Sequence, residues 1–190
     1  TCDGPFYKGK RVAVIGGGNS ATEESLLLTK FADHVVILAR GSQFTATQFI
    51  QEKVLNHEKI EVRWHTEVKE FLGADSKLTR LKAVDNQTGN EEIIPIDGAF
   101  IFIGLIPNTG FLNNSDVLLD QWVYVVTGHA LTHLKQQYHY REREPHLLET
   151  SVPGVFAAGD VRDGSTKQVV SAAGEGSTAA LIIREYLKTV

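Results

Sequence analysis

Apolar residues come in short bursts along this chain, and their spacing sets out an alternation of strands and helices. Arg11-Val12-Ala13-Val14-Ile15 is a β-branched run ending on three glycines, the pattern of a buried strand. From residue 19 to residue 32 the period lengthens. Ala21, Leu27, Leu28 and Phe31 form the apolar face of a predicted helix, with Glu23 and Glu24 in its first turn, where acids complement the positive end of the helix dipole. Residues 35–39 read as a second strand and 47–56 as a second helix. This order predicts a parallel sheet with right-handed crossovers.

Four shorter, partly alternating runs follow at residues 60–65, 68–72, 78–84 and 92–96. Gly73-Ala74-Asp75-Ser76 and residues 86–90 separate them with turn chemistry, which predicts an antiparallel meander. Residues 98–104 read as a buried strand returning to the parallel sheet. Pro107-Asn108-Thr109-Gly110 marks a boundary. Residues 128–149 are polar and rich in His and Tyr, with no assignable period. Beyond the turn Ser151-Val152-Pro153-Gly154 a strand is predicted at 155–158, and a long helix at 168–188 closes the chain.

The length of 190 residues and a hydrophobic share of 42% allow a substantial core. A net charge of -4, from 19 basic and 23 acidic residues, argues against a nucleic-acid or anionic-membrane surface. No run approaches the roughly 18 apolar residues of a membrane helix, and no leader pattern is present, so a cytoplasmic protein is expected. The single cysteine, Cys2, has no internal disulfide partner. The absence of methionine, a starting one included, predicts a piece of a longer chain. His129 and His133 lie four apart, but without a third ligand no metal site is expected.

Chemistry concentrates first at Gly16-Gly17-Gly18-Asn19-Ser20-Ala21, a G-x-G-x-x-A turn between a strand and a helix. The glycines let backbone approach a pyrophosphate, and the helix start offers amides and a favourable dipole. The candidate dinucleotide residues are therefore Gly16, Gly18, Asn19, Ser20 and Ala21. The second strand runs into Leu38-Ala39-Arg40-Gly41-Ser42 and carries no acid to hold a ribose hydroxyl. Arg40 is the candidate partner for a 2′-phosphate, with a solvated surface arginine as the alternative.

Four stretches together resemble the low-molecular-weight thioredoxin reductases, flavoproteins with an FAD domain and an inserted NADPH domain. Thr1-Cys2-Asp3-Gly4 is similar to the end of that family's C-x-x-C-D-G active site. Residues 16–24, GGGNSATEE, resemble its nucleotide loop. Ile103-Gly104-Leu105-Ile106-Pro107-Asn108-Thr109 resembles its link to the flavin domain, and residues 154–176, GVFAAGDVRDGSTKQVVSAAGEG, its FAD-binding tail. The resemblance implies an α/β fold: a Rossmann-like three-layer nucleotide-binding domain with an antiparallel meander at 1–106, and the C-terminal piece of an FAD-binding Rossmann domain at 107–190. Residues 128–149 then form an unusual insertion.

The resemblance also implies roles. Cys2 is the flavin-facing cysteine of a redox pair whose partner lies upstream of Thr1, and Asp3 is its proton donor. Gly159 and Asp160 hold FAD, while Lys167, Gln168 and Val169 lie against the flavin ring. Where the family carries H-R-R-x-x-x-R, this chain has Ala39-Arg40-Gly41-Ser42-Gln43-Phe44-Thr45, so one arginine of three remains. The implied protein is a homodimeric flavoenzyme that uses FAD to reduce thioredoxin or a similar disulfide protein, its 2′-phosphate site degenerate and its donor either NADPH or ferredoxin. The alternatives are a ferredoxin–NADP reductase of the same shape, or an isolated nucleotide-binding module. The 190 residues alone are expected to be inactive.

Overall fold

The computed structural model describes residues 3–134 and 143–189. The chain divides into two compact units, Thr1–Gly104 and Leu105–Val190.

In the first unit, a 3-10 turn at Gly4–Tyr7 precedes β1 (Arg11–Ile15), α1 (Asn19–Leu28), β2 (His34–Leu38), α2 (Gln48–Leu55) and β3 (Ile60–Arg63). Next come β4 (Thr66–Ala74), β5 (Lys77–Asp85), β6 (Glu91–Pro95) and β7 (Gly98–Ile101). One parallel sheet has the order β3-β2-β1-β7, and an antiparallel sheet has the order β4-β5-β6. Both faces of the parallel sheet are buried, as its central strands read. Val12, Val14, Val35 and Ile37 pack with Ala21, Leu28, Phe44 and Val54 on the helical side. Ala13, Val36 and Leu38 point the other way, onto Leu81, Ala83, Ile94 and Ile96 around the meander. Residues i and i+1 of a strand face opposite sides, so one apolar run serves two cores. The three-layer α/β arrangement expected from the sequence is the one observed.

Two local expectations change. Glu23 and Glu24 sit in the second turn of α1, not the first, because the helix starts at Asn19 behind an N-cap at Gly18. Its buried stripe is Ala21, Thr22, Ser25 and Leu28. The hydroxyls are buried at low cost because each bonds back into the helix: Ser25 Oγ donates to the Ala21 carbonyl (2.6 Å) and Thr22 Oγ1 to that of Gly18 (3.1 Å).

At the N-terminal end of the parallel sheet, one carboxylate ties three strands. Glu61 on β3 accepts from Arg11 of β1 (3.1 Å) and pairs with His34 of β2 (2.9 Å) and with Arg63 Nε. Burial raises its pKa, but hydrogen bonds from His34 and Arg63 and the charges of Arg63 and Arg11 outweigh that and hold it below the ordinary carboxylate value.

The second unit is mostly irregular. A 3-10 segment spans Gly128–Leu134, another Gly159–Val161, and α3 runs Val169–Tyr186. The strand predicted at 155–158 is reduced to an isolated bridge between Glu149 and Phe156. An apolar run becomes a strand only where a neighbour supplies a ladder, and here the neighbour pairs at one residue. Glu149, fully buried, anchors the end of the 128–149 stretch. It accepts two bonds from Arg143 (2.8 and 2.7 Å) and one each from the amides of His146 (2.9 Å) and Gly154 (2.8 Å), while its carbonyl takes the Gly128 amide (2.9 Å). No described helix is long and apolar enough to cross a membrane.

A tight turn at residues 120–124 forces Val123 to φ 63°, the left-handed region that a β-branched residue avoids. Asp120 Oδ1 takes the amides of Trp122 and Tyr124 (both 2.8 Å), and Thr109 Oγ1 donates to the Val123 carbonyl (2.6 Å), so the turn is fixed from both sides. Val123→Gly is expected to stabilise the chain by about 1 kcal/mol, strain relief exceeding the added unfolded-state entropy. The check is a higher urea midpoint at unchanged slope.

Because the Glu61 pKa is depressed on folding, its contribution is present above the unfolded carboxylate pKa and is lost as pH falls through the lower folded value. Wild type should therefore exceed Glu61→Gln in stability at neutral pH, and the two should converge under acid. Parallel denaturant curves across that pH range measure the difference.

Candidate functional site

The first candidate site lies where the parallel strands end. Gly16 follows β1 at φ 139°, and a Cβ there would stand 2.3 Å from the Phe102 carbonyl oxygen. The Gly16 amide donates to Leu38 of β2 (3.0 Å), and the Phe102 amide donates to Ile15 (2.8 Å). Three strand ends thus converge on this glycine. Gly18 N-caps α1 in an extended conformation with no side-chain cap, so the first amides of the helix face outward unanswered by a side chain. Asn19 and Ser20 are exposed, and Ala21 is buried with its Cβ 3.2 Å from where a Gly16 Cβ would sit. The Asn19 side-chain oxygen is already engaged: it accepts the Thr47 amide (2.9 Å) at the start of α2. The Thr45 amide donates to Gly17 (2.8 Å), so residues 44–47 wall the glycine turn.

Arg40 is exposed just beyond β2, and its side chain makes no ion pair among the described residues. Its carbonyl accepts Asn86 Nδ2 (2.9 Å). The structure brings Gly16, Gly18, Asn19, Ser20 and Ala21 into one turn, with Arg40 at the end of the adjacent strand. An uncapped helix start and a free guanidinium can hold a pyrophosphate and a phosphate monoester.

The second candidate site lies in the other unit. Gly159, at φ 80°, donates its amide to Glu175 of α3 (2.7 Å). Arg162 grips the same carboxylate through Nη2 (2.6 Å) and Nε (3.1 Å). Those Arg162 contacts, against the cost of burial and with the Gly159 amide, hold the Glu175 carboxyl below its ordinary value. The brace fixes the Gly159–Val161 turn against α3 and leaves Asp160 exposed. Lys167 adopts φ 57°, sends Nζ to the Arg162 (3.3 Å) and Ser165 (3.4 Å) carbonyls, and lies 4.0 Å above the Tyr124 ring. Gln168 N-caps α3, and Val169 behind it is 86% exposed.

Arg162, Glu175 and Tyr124 were not legible as site residues. Arg162 and Glu175 both fall in the 154–176 stretch, but they lie 13 positions apart and no period pairs them. Cys2 lies outside the described residues. Asp3, exposed, precedes the Gly4–Tyr7 turn and accepts the Phe6 amide on its carbonyl (3.0 Å). His129 and His133 meet edge to face at 5.6 Å, and no group of three or more potential metal ligands occurs among the described residues.

A family model for pyridine nucleotide-disulphide oxidoreductases matches residues 2–176. The thioredoxin reductase of Listeria innocua serovar 6a is 37% identical over 188 residues, covering 98% of this chain and 53% of the relative. That of Bacillus subtilis strain 168 is 35% identical over 187 residues, covering 98% and 54%. Among solved structures, thioredoxin reductase from Streptococcus pyogenes MGAS5005 superposes with a TM-score of 0.73 at 29% identity, over 99% of this chain and 56% of that one. The thioredoxin reductase of T. acidophilum gives 0.65 at 36%, over 99% and 55%. The chain spans about half the length of the curated relatives it matches. These relatives uphold the resemblance to the low-molecular-weight thioredoxin reductases, and the match across residues 2–176 establishes that the chain belongs to the pyridine nucleotide-disulphide oxidoreductase family.

Proposed function

We propose that these 190 residues form the pyridine-nucleotide unit and part of the flavin-binding unit of a thioredoxin-reductase-like enzyme, which reduces a disulfide protein such as thioredoxin. The observation that carries this reading is the uncapped start of α1 behind a glycine that tolerates no side chain. Gly18, Ser20 and Ala21 would seat the dinucleotide pyrophosphate on backbone amides, and Asn19 would hold the neighbouring wall through Thr47. Arg40 would meet the adenosine end.

FAD, when bound, supplies hydride acceptance and electron transfer to a disulfide. The second unit fits such a group. Gly159, at φ 80°, packs its turn closely on Ala172 of α3, Asp160 offers an exposed carboxylate to a polyol chain, and exposed Gln168 and Val169 present the start of α3 to a flat apolar ring. The helix dipole there favours developing negative charge. Cys2 would form half of the redox pair, since a thiolate is the species that attacks and leaves in disulfide exchange, and Asp3 would hold the proton. Homodimerisation and a cytoplasmic setting belong to the same proposal. Pyridine nucleotide, in place of ferredoxin, is the donor in this reading, supported by the start of α1, which has no side-chain cap.

Ser20→Asp separates binding from folding. An acid in the first turn of α1 complements the dipole, so thermal stability should hold or rise slightly. The same carboxylate would oppose a pyrophosphate, and dinucleotide affinity should fall about tenfold or more. Calorimetric titration with NADP+, beside a melting curve, reads both, and unchanged affinity would sink the pyrophosphate seat. In the FAD-loaded enzyme, Cys2→Ser should abolish disulfide reduction while flavin bleaching by reduced nucleotide continues. Full disulfide turnover in that variant would overturn the redox assignment.

A further inference from the structure

Glu175 lies in the second turn of α3, and its carboxylate grips both ends of the Gly159–Val161 turn. At the first end Oε2 accepts the Gly159 amide (2.7 Å). Just past the second end the same oxygen takes Arg162 Nε (3.1 Å), and Oε1 takes Arg162 Nη2 (2.6 Å). The Arg162 and Glu175 side chains are only 19% and 18% exposed, so removing either partner would strand a part-buried charge. Asp160 lies between the two gripped points. It is exposed, and its side chain has no hydrogen bond or ion pair among the described residues.

The turn needs this outside support. Three residues of 3-10 helix close one bond of their own, from the Arg162 amide to the Gly159 carbonyl (3.1 Å). One such bond does not offset the conformational entropy of ordering the segment. Gly159 adds close packing, since a Cβ there would stand 3.3 Å from the Ala172 Cβ of α3. Val125 holds the second end: its amide donates to the Val161 carbonyl (3.0 Å), and its carbonyl accepts the Asp163 amide (2.9 Å). Arg162 Nη1 donates to the Asp163 carbonyl (2.9 Å), which ties the guanidinium to that end as well. Of these supports, the Glu175 carboxylate alone bonds residues on both sides of Asp160.

Resting on the reading of this unit as flavin-binding, we infer that Glu175 is a positioning residue. By holding Gly159 and Arg162 at once, it fixes the turn so that Asp160 is presented to the polyol chain of the flavin cofactor. Glu175 acts through Asp160 and needs no contact with the cofactor itself. A loose turn would have to order as the cofactor binds and would lose affinity by that ordering, whereas a braced turn is ordered on folding.

The test is a double-variant cycle on the complete enzyme, stripped of flavin and titrated with FAD by fluorescence quenching, beside a melting curve of each apoprotein. Asp160→Asn should weaken FAD binding about tenfold, the worth of a charge-assisted hydrogen bond. Glu175→Gln keeps an acceptor for the Gly159 amide, loses the charge that holds Arg162, and should also weaken FAD about tenfold. The double variant should bind about as weakly as Asp160→Asn alone, because the two residues act as one unit. Should Glu175→Gln fail to fold, Arg162→Lys keeps the charge, gives up the fork and takes its place in the cycle with the same expected coupling. A brace with a purely structural role would lower the melting temperature, and its loss would multiply with that of Asp160→Asn. Multiplied losses, or unchanged FAD affinity in the brace variant, overturn the inference and leave the flavin reading standing. Unchanged affinity in Asp160→Asn overturns the flavin reading of this turn and the inference with it.

Discussion

The Phe102 carbonyl oxygen occupies the place where any side chain at Gly16 would have to go. This contact lets the ends of β1 and β7 come together, while the Gly16 amide reaches across to the end of β2. A Cβ in that position would push the three strand ends apart, and α1 would start elsewhere. The helix start points its amides outward because the chain turns within three glycines. The same turn presses Ala21 inward, where only a small residue fits. Geometry at one backbone position therefore sets both the sheet and the uncapped start of the helix.

Much of the first unit was legible because its signals are local. A β-branched run followed by glycines has few readings, and alternating runs with turn residues between them have few more. The layering was also implicit, since Val12-Ala13-Val14 is apolar at every position and a strand so composed needs cover on both faces. What resisted reading was polar burial. Thr22 and Ser25 look like surface residues, yet their hydroxyls bond the previous helical turn and so go inside without loss. The second unit resisted more, because strands there depend on a partner for their ladder. Residues 155–158 have strand composition and one bridge.

The candidate site divides the same way. Glycine spacing announces itself, and Arg40 is found by counting to the end of a strand. Thr45 and Asn86 reach the glycine turn and Arg40 through pairings 28 and 46 residues apart, the Thr45–Gly17 and Asn86–Arg40 bonds. The Arg162–Glu175 brace is equally silent in sequence. Cys2 and Asp3 carry meaning only through resemblance, since a lone cysteine beside an acid has no physical signature.

Charge distribution shows how the site stays receptive in a chain of net charge -4. Arg11 and Arg63 are engaged by Glu61, Arg143 by Glu149, and Arg162 by Glu175. Each of these carboxylates also accepts from a further group, His34 for Glu61 and backbone amides for Glu149 and Glu175. Shared acceptance of this kind makes a part-buried ion pair tolerable, because no lone pair is left to the interior. It also withdraws those guanidiniums from any ligand. Arg40 has no such carboxylate among the described residues. An anion approaching the first unit at the strand ends would therefore meet a helix start with no side-chain cap and a guanidinium that forms no ion pair among the described residues.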